Sequence, residues 1–175
     1  MAINPDYGGR TFEPSEPYEV SRVKIAEFAT AIGDGSPLCR DRTAAQAAGY
    51  PDVIASPTFA IVVTSSEIAK LMADPGLGVN YAMIVHGEQS FTHSRPLHAG
   101  DVVVGTTTIE SIKALGGTSM LTTSTEISTV DGEHVCTAKS TLVERGKQAS
   151  DDDARLRGRR AGHRDPAEEL PGNSP

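Results

Sequence analysis

The stretch SPTFAIVVTSSEIAKLMADP, Ser56 to Pro75, constrains this chain more than any other. It reads as a helix with both ends marked. Ser56 can cap it, since its hydroxyl can accept from the free N–H groups of the first turn, and Pro57 sits where a missing N–H costs nothing. Asp74-Pro75-Gly76 stops it, because proline cannot continue the ladder. Phe59 to Val63 is apolar all round, which predicts burial on every side. Glu67 and Lys70 predict a second half that reaches the surface. The apolar run is too short to span a membrane, for which about 20 residues are needed.

Four stretches with strand character follow. They are Ala82 to Arg95, Val102 to Ile112, Thr118 to Val130 and Glu133 to Arg145. Leu115-Gly116-Gly117 and Asp131-Gly132 join the last three as hairpins. The predicted domain is α+β: a curved antiparallel sheet wrapped around the central helix. Before that helix, Ser21 caps a helix through Ile32 with Gly33 at its left-handed terminus. GDGSPL (33–38) is a turn-rich loop, and Thr43 to Gly49 is a short helix. Tyr7 and Phe12 pin an otherwise polar leader of residues 1–17 onto the domain.

The chain has 175 residues, enough for one domain with a proper core. A net charge of -7 argues against nucleic acid as a partner. Two cysteines, Cys39 and Cys136, form neither a disulfide framework nor a zinc spacing, so no metal is expected. No basic-then-apolar leader opens the chain, and a cytoplasmic protein is expected. Residues 147–175 hold six basic and six acidic residues, with Leu156 and Leu170 their only large aliphatics. That composition predicts a disordered charged tail after a domain of residues 1–146.

Three motifs resemble one family, in the order that family has them. GDGSPLC is similar to the G-D-x-N-P-aliphatic-H signature of MaoC-like (R)-specific hydratases and dehydratases. The helix after Gly-Tyr-Pro-Asp-Val-Ile-Ala resembles their central "hot-dog" helix, and RPLHAGDVV their turn between two strands. The likeness runs from Tyr18 to Gly146. It is greatest with N-terminal-type subunits such as the A and C chains of the mycobacterial (3R)-hydroxyacyl-ACP dehydratase. It implies addition of water to an enoyl thioester, or the reverse dehydration. In the family an Asp and a His activate the water, and a backbone N–H at the helix start stabilises the carbonyl oxygen. The acyl group rides on coenzyme A or acyl carrier protein, and no metal or redox cofactor is implied.

The match is incomplete at the residues that matter. Asp34 matches the catalytic Asp, although Asp in such a turn also serves to bond its own backbone. Ser36 replaces Asn, Cys39 stands where the His belongs, and Ser56-Pro57 replaces His-Gly, so one oxyanion donor is missing while Thr58 still offers its N–H. The resemblance therefore implies the non-catalytic, acyl-binding half of a heterodimer, in lipid metabolism such as fatty acid biosynthesis. The partner is a homologous chain with the Asp–His pair intact. Ser56, Thr58, Phe59, Ile61 and Val62 are the expected substrate-binding residues. Two alternatives remain open. One is a self-sufficient homodimeric hydratase that uses Asp34 with His86 or His98. The other is a non-catalytic acyl-thioester-binding regulatory protein. A thioesterase is disfavoured, since hot-dog thioesterases usually present a carboxylate on the central helix and Glu67, the only candidate there, lies late in it. His86 and His93, seven apart on one strand, are expected to face opposite sides.

Overall fold

The computed structural model describes residues 3–145. The expected tail over 147–175 lies outside the described residues. Helix α1 (Arg22–Ala31) starts as its sequence predicts, with the Ser21 hydroxyl accepting from the Lys24 N–H, and Gly33 follows it at a φ of 72°. A short turn at Pro37–Cys39 and helix α2 (Arg42–Ala47), capped by Asp41, lead into helix α3 (Ala60–Ala73).

The sheet has five antiparallel strands, β1 (Tyr18–Glu19), β2 (Ile84–His93), β3 (Val102–Leu115), β4 (Thr118–Thr129) and β5 (His134–Glu144), in the spatial order β1-β3-β4-β5-β2. The last three make the meander that the two hairpin signals predict. Valine, isoleucine and threonine dominate these strands because branched side chains pack well on a pleated surface. On β4 and β5 buried and less buried residues alternate, so one face closes on α3.

Two clusters of buried side chains sit inside the curl. One holds Val20, Ile25, Phe59, Val63, Val103 and Val135 near the start of α3; the other holds Leu71, Leu77, Ile109 and Leu121 near its end. Tyr7 and Phe12 pack on the second, as their placement in a polar leader predicts. That leader does more than pin. Its backbone bonds to Gly105, Thr107 and Ile109, continuing the line of β1 along β3. One sheet edge is thereby covered. On the other, β2 pairs with β5 alone among the described strands.

Three expectations need correction. Ser56 does not cap α3: the helix begins at Ala60, after a tight turn in which the Phe59 N–H donates to the Ser56 carbonyl at 2.8 Å, and the Ser56 hydroxyl is used elsewhere. The run after Phe59 is not buried all round, since Ile61 and Val62 are only half-buried. The second half of α3 reaches the surface at Lys70, whose side chain is 62% exposed, but not at Glu67. Glu67 is 8% exposed, paired with Lys70 at 3.0 Å, and lines a cavity whose opposite wall is residues 10–14 of the leader. A leader laid over the helix covers what an isolated helix would leave in water.

Candidate functional site

The loop after α1 and the turn before α3 meet at Asp34. Its Oδ2 accepts from the Ser56 hydroxyl at 2.5 Å and from the Cys39 thiol at 3.6 Å. Its Oδ1 accepts from the Ser36 N–H at 2.9 Å. The Cys39 sulfur is also 3.7 Å from Ser56 Oγ. Arg40 donates to the Asp34 backbone carbonyl at 2.6 Å and holds the loop shut. Asp34 thus ties its own turn, as its sequence position suggests, and it also faces the start of the central helix.

The electrostatics follow from these contacts. The Ser56 hydroxyl, then the Ser36 N–H, hold the Asp34 carboxyl below the usual carboxylate range against the opposing effect of burial. Burial pushes the Cys39 thiol up, the Ser56 hydrogen bond opposes this, and the Asp34 charge adds to the rise. A protonated thiol beside an ionised carboxylate donates a hydrogen bond; it is no base near neutral pH. Burial likewise pushes Cys136 up to about 11. Neither thiol is therefore expected to react with a thiol reagent at pH 8 until the chain unfolds. Labelling of Cys39 in the native protein at the rate of free cysteine would overturn that.

His93 lies on the other side of the Ser56–Pro57 turn. Its Nε2 is 2.8 Å from the Pro57 carbonyl, and since a carbonyl only accepts, Nε2 carries the proton. Ser56, Pro57, His93 and Arg95 line a cavity of about 350 Å³. Sequence reasoning passed over His93 because it assumed a regular strand. The pairing of β2 with β5 slips between His86 and Glu88, which brings His86 and His93 to the same face. Gly87, isolated inside a strand pattern, is the signal that could have given this.

The five expected binding residues are dispersed. Ser56 is buried on Asp34, and Thr58 is exposed at the helix start, its N–H without a partner among the described residues. Phe59 is fully buried, edge-on to Phe28 with centroids 5.4 Å apart. Val62 packs on the same cluster. Ile61 lines a separate cavity of about 330 Å³ between α3 and β2. Of the two other candidate bases, His86 stands in that cavity, with Nε2 3.1 Å from Ser140 Oγ. His98 sits 3.3 Å from Asp101 in the turn before β3. Among the described residues no group of three or more His, Cys, Asp or Glu could hold a metal ion, and no helix is long and apolar enough to cross a membrane.

Residues 7–138 match the family described as "FAS1-like, dehydratase domain region". The chain belongs to this dehydratase family. A UPF0336 protein of Thermobifida fusca is 54% identical over 86% of this chain and 99% of its own length. Two solved structures share the MaoC-like hot-dog fold of the family. The C-terminally truncated HadBC (3R-hydroxyacyl-ACP dehydratase) complex of Mycobacterium tuberculosis aligns with a TM-score of 0.72 and 26% identity, over 79% of this chain and 97% of that one. A MaoC-like dehydratase gives the same TM-score at 25% identity, over 97% of this chain and 51% of that one.

An ion-pair centre braces this dehydratase-family domain beside α1. Arg22 donates to both oxygens of Asp52, at 2.9 and 2.6 Å, and the Val53 N–H donates to the same carboxylate. The Arg22 hydrogen bond first, with the Val53 N–H helping, holds the Asp52 carboxyl far below its ordinary range. Asp34 and Asp52 both titrate lower in the folded chain than an unfolded aspartate does, at about 3.9. Their stabilisation is complete above that value and disappears as the pH falls through the folded values. The urea midpoint should therefore drop on acidification below about pH 4. Asp52→Asn should lower it at pH 7 and flatten the drop. Parallel profiles for the two proteins would remove Asp52 from the account.

Proposed function

We infer that this chain is the acyl-binding subunit of a (3R)-hydroxyacyl-thioester dehydratase, or (R)-specific enoyl hydratase, whose chemistry is supplied by a second MaoC-type chain. The observation that carries the reading is the Cys39 thiol, protonated between Asp34 and Ser56, where the family motif has its histidine. A base must be free to take a proton from water, and a thiol held in this form is not. Asp34 spends its oxygens on Ser56, Ser36 and Cys39, which suits a tie between loop and helix better than a water-activating carboxylate.

In the hydration direction a base on the partner takes a proton from water, the hydroxyl bonds to C3 of the enoyl group, and a proton is delivered to C2. Dehydration is the reverse. The role here is to hold the thioester and its tail. The Thr58 N–H, without a partner among the described residues, and the half-buried face of α3 at Ile61 support that role. The edge of β2, ten residues long and uncovered among the described residues, is a place for a partner strand to add. Two likenesses support a paired unit: HadBC is a complex, and this chain spans about half of the MaoC-like dehydratase it matches. The substrate is an acyl-CoA or acyl carrier protein thioester, the setting is the cytoplasm, and no cofactor takes part.

Hydration of crotonyl-CoA tests this, with the purified chain alone and co-expressed with a MaoC-type chain bearing the Asp–His motif. Turnover only in the mixture is expected. Turnover by this chain alone would replace the reading with a self-sufficient hydratase. Thioester binding without turnover in either sample would favour a regulatory binding protein.

A further inference from the structure

Strand β2 contains an irregularity that forming a sheet does not require. On a regular strand His86 and Gln89, three apart, would point to opposite faces. Here the register slips, so that His86 lies opposite Leu142 and Gln89 opposite Ser140, both on the concave side. The extra residue is Gly87, exposed but with little room for a side chain: a Cβ there would lie 3.1 Å from Val143 Cγ2 and 3.3 Å from the Thr141 carbonyl oxygen. A bulge re-aims a side chain, and the side chain re-aimed here is an imidazole.

His86 is turned onto a buried hydroxyl, that of Ser140, in the cavity between β2 and α3. The facing wall is mostly aliphatic, made by Ile61, Ile68, Ala69 and Met72 of α3, and the hydroxyl of Ser65 there donates to the Ile61 carbonyl. Gln89 completes the polar side. Its Nε2 donates to the Lys139 carbonyl at 2.9 Å, which assigns the remaining amide atom, Oε1, as an acceptor. Oε1 of Gln89 and Nδ1 of His86 have no hydrogen-bond partner among the described residues. His86 is exposed and Gln89 half-buried, so both acceptors meet water; a ligand that displaces that water keeps the hydrogen bonds only if it carries a donor, which a hydrocarbon, ether or ketone lacks. A hydroxyl can donate to Gln89 and still meet either tautomer of His86, because it both donates and accepts.

We propose that this cavity receives a hydroxyl carried on the acyl chain well beyond the thioester, so that the subunit selects hydroxylated acyl thioesters. The inference rests on the dehydratase-subunit reading, with the thioester carbonyl at Thr58. Ile61 lines the near end of the cavity, and Ser65 and Ala69 line its far part. At about 1.5 Å per residue they lie roughly 10 and 16 Å along the helix from Thr58. A crotonyl chain stops short of them and a dodecenoyl chain reaches them.

The test uses the complex with a MaoC-type partner and compares trans-2-dodecenoyl-CoA with its 12-hydroxy derivative, with crotonyl-CoA as control. The hydroxylated chain is expected to show a kcat/KM about five- to ten-fold higher, the worth of one or two net hydrogen bonds. Gln89→Leu and His86→Leu should each bring that ratio towards one. Equal values for the two long substrates in the wild-type complex overturn the inference and leave the subunit reading standing, and this comparison needs no variant. The same holds if crotonyl-CoA turns over but neither long chain does. A preference that survives both substitutions also overturns it. If no substrate turns over, crotonyl-CoA included, the reading beneath it fails and takes the inference with it.

Discussion

Phe59→Ala is expected to destabilise the domain by about 3–5 kcal/mol, the usual range for removing a buried phenylalanine. The ring has no exposed surface and meets Phe28 edge-on, at an interplanar angle of 78°, in the cluster shared with Val20, Ile25 and Val135. Truncation loses the transfer energy of the ring and leaves a hole between α1 and the start of α3. These are rigid elements that cannot close over it. The urea midpoint at unchanged m-value measures the loss. The experiment also separates two roles that the sequence leaves entangled. A residue lining an acyl slot is partly solvated without ligand, and its removal costs little stability. A loss below about 1 kcal/mol would mean that Phe59 faces such a slot instead of the core.

The fold was legible because its signals are local and agree with one another. Ser21 and Gly33 bracket α1, Asp131-Gly132 fixes a hairpin, and the threonine- and valine-rich runs can hardly be anything but strands. What could not be read is tertiary in origin. Ser56 has the chemistry of a cap, yet Asp34, 22 positions earlier in the chain, competes for its hydroxyl and wins. Glu67 looks like a surface residue until the leader folds over it. The bulge at Gly87 changes the face of one histidine relative to another, and no count of spacings between His86 and His93 reveals an extra residue in the ladder. At the site, the departure of Cys39 from the family motif was plain in the sequence. Its consequence, a thiol kept protonated against a carboxylate, required the distances.

The second large effect concerns where the chemistry resides. In an active complex with a MaoC-type partner, changing the partner's motif Asp or His should cost at least about a hundred-fold in kcat, the range in which a positioned acid or base acts. In this chain, Cys39→Ala should change kcat little, because a protonated thiol moves no proton. The most direct measurement is kcat of that complex with Asp34→Asn in this chain. The substitution keeps one oxygen to accept from the Ser36 N–H, and its amide N–H can donate to the Ser56 hydroxyl in place of the bond Asp34 accepts, so the loop should hold while the negative charge is lost. Turnover within about three-fold of wild type is expected if Asp34 is a tie and the partner does the chemistry. A loss of about a hundred-fold or more, with the complex intact, would place the reaction on this chain.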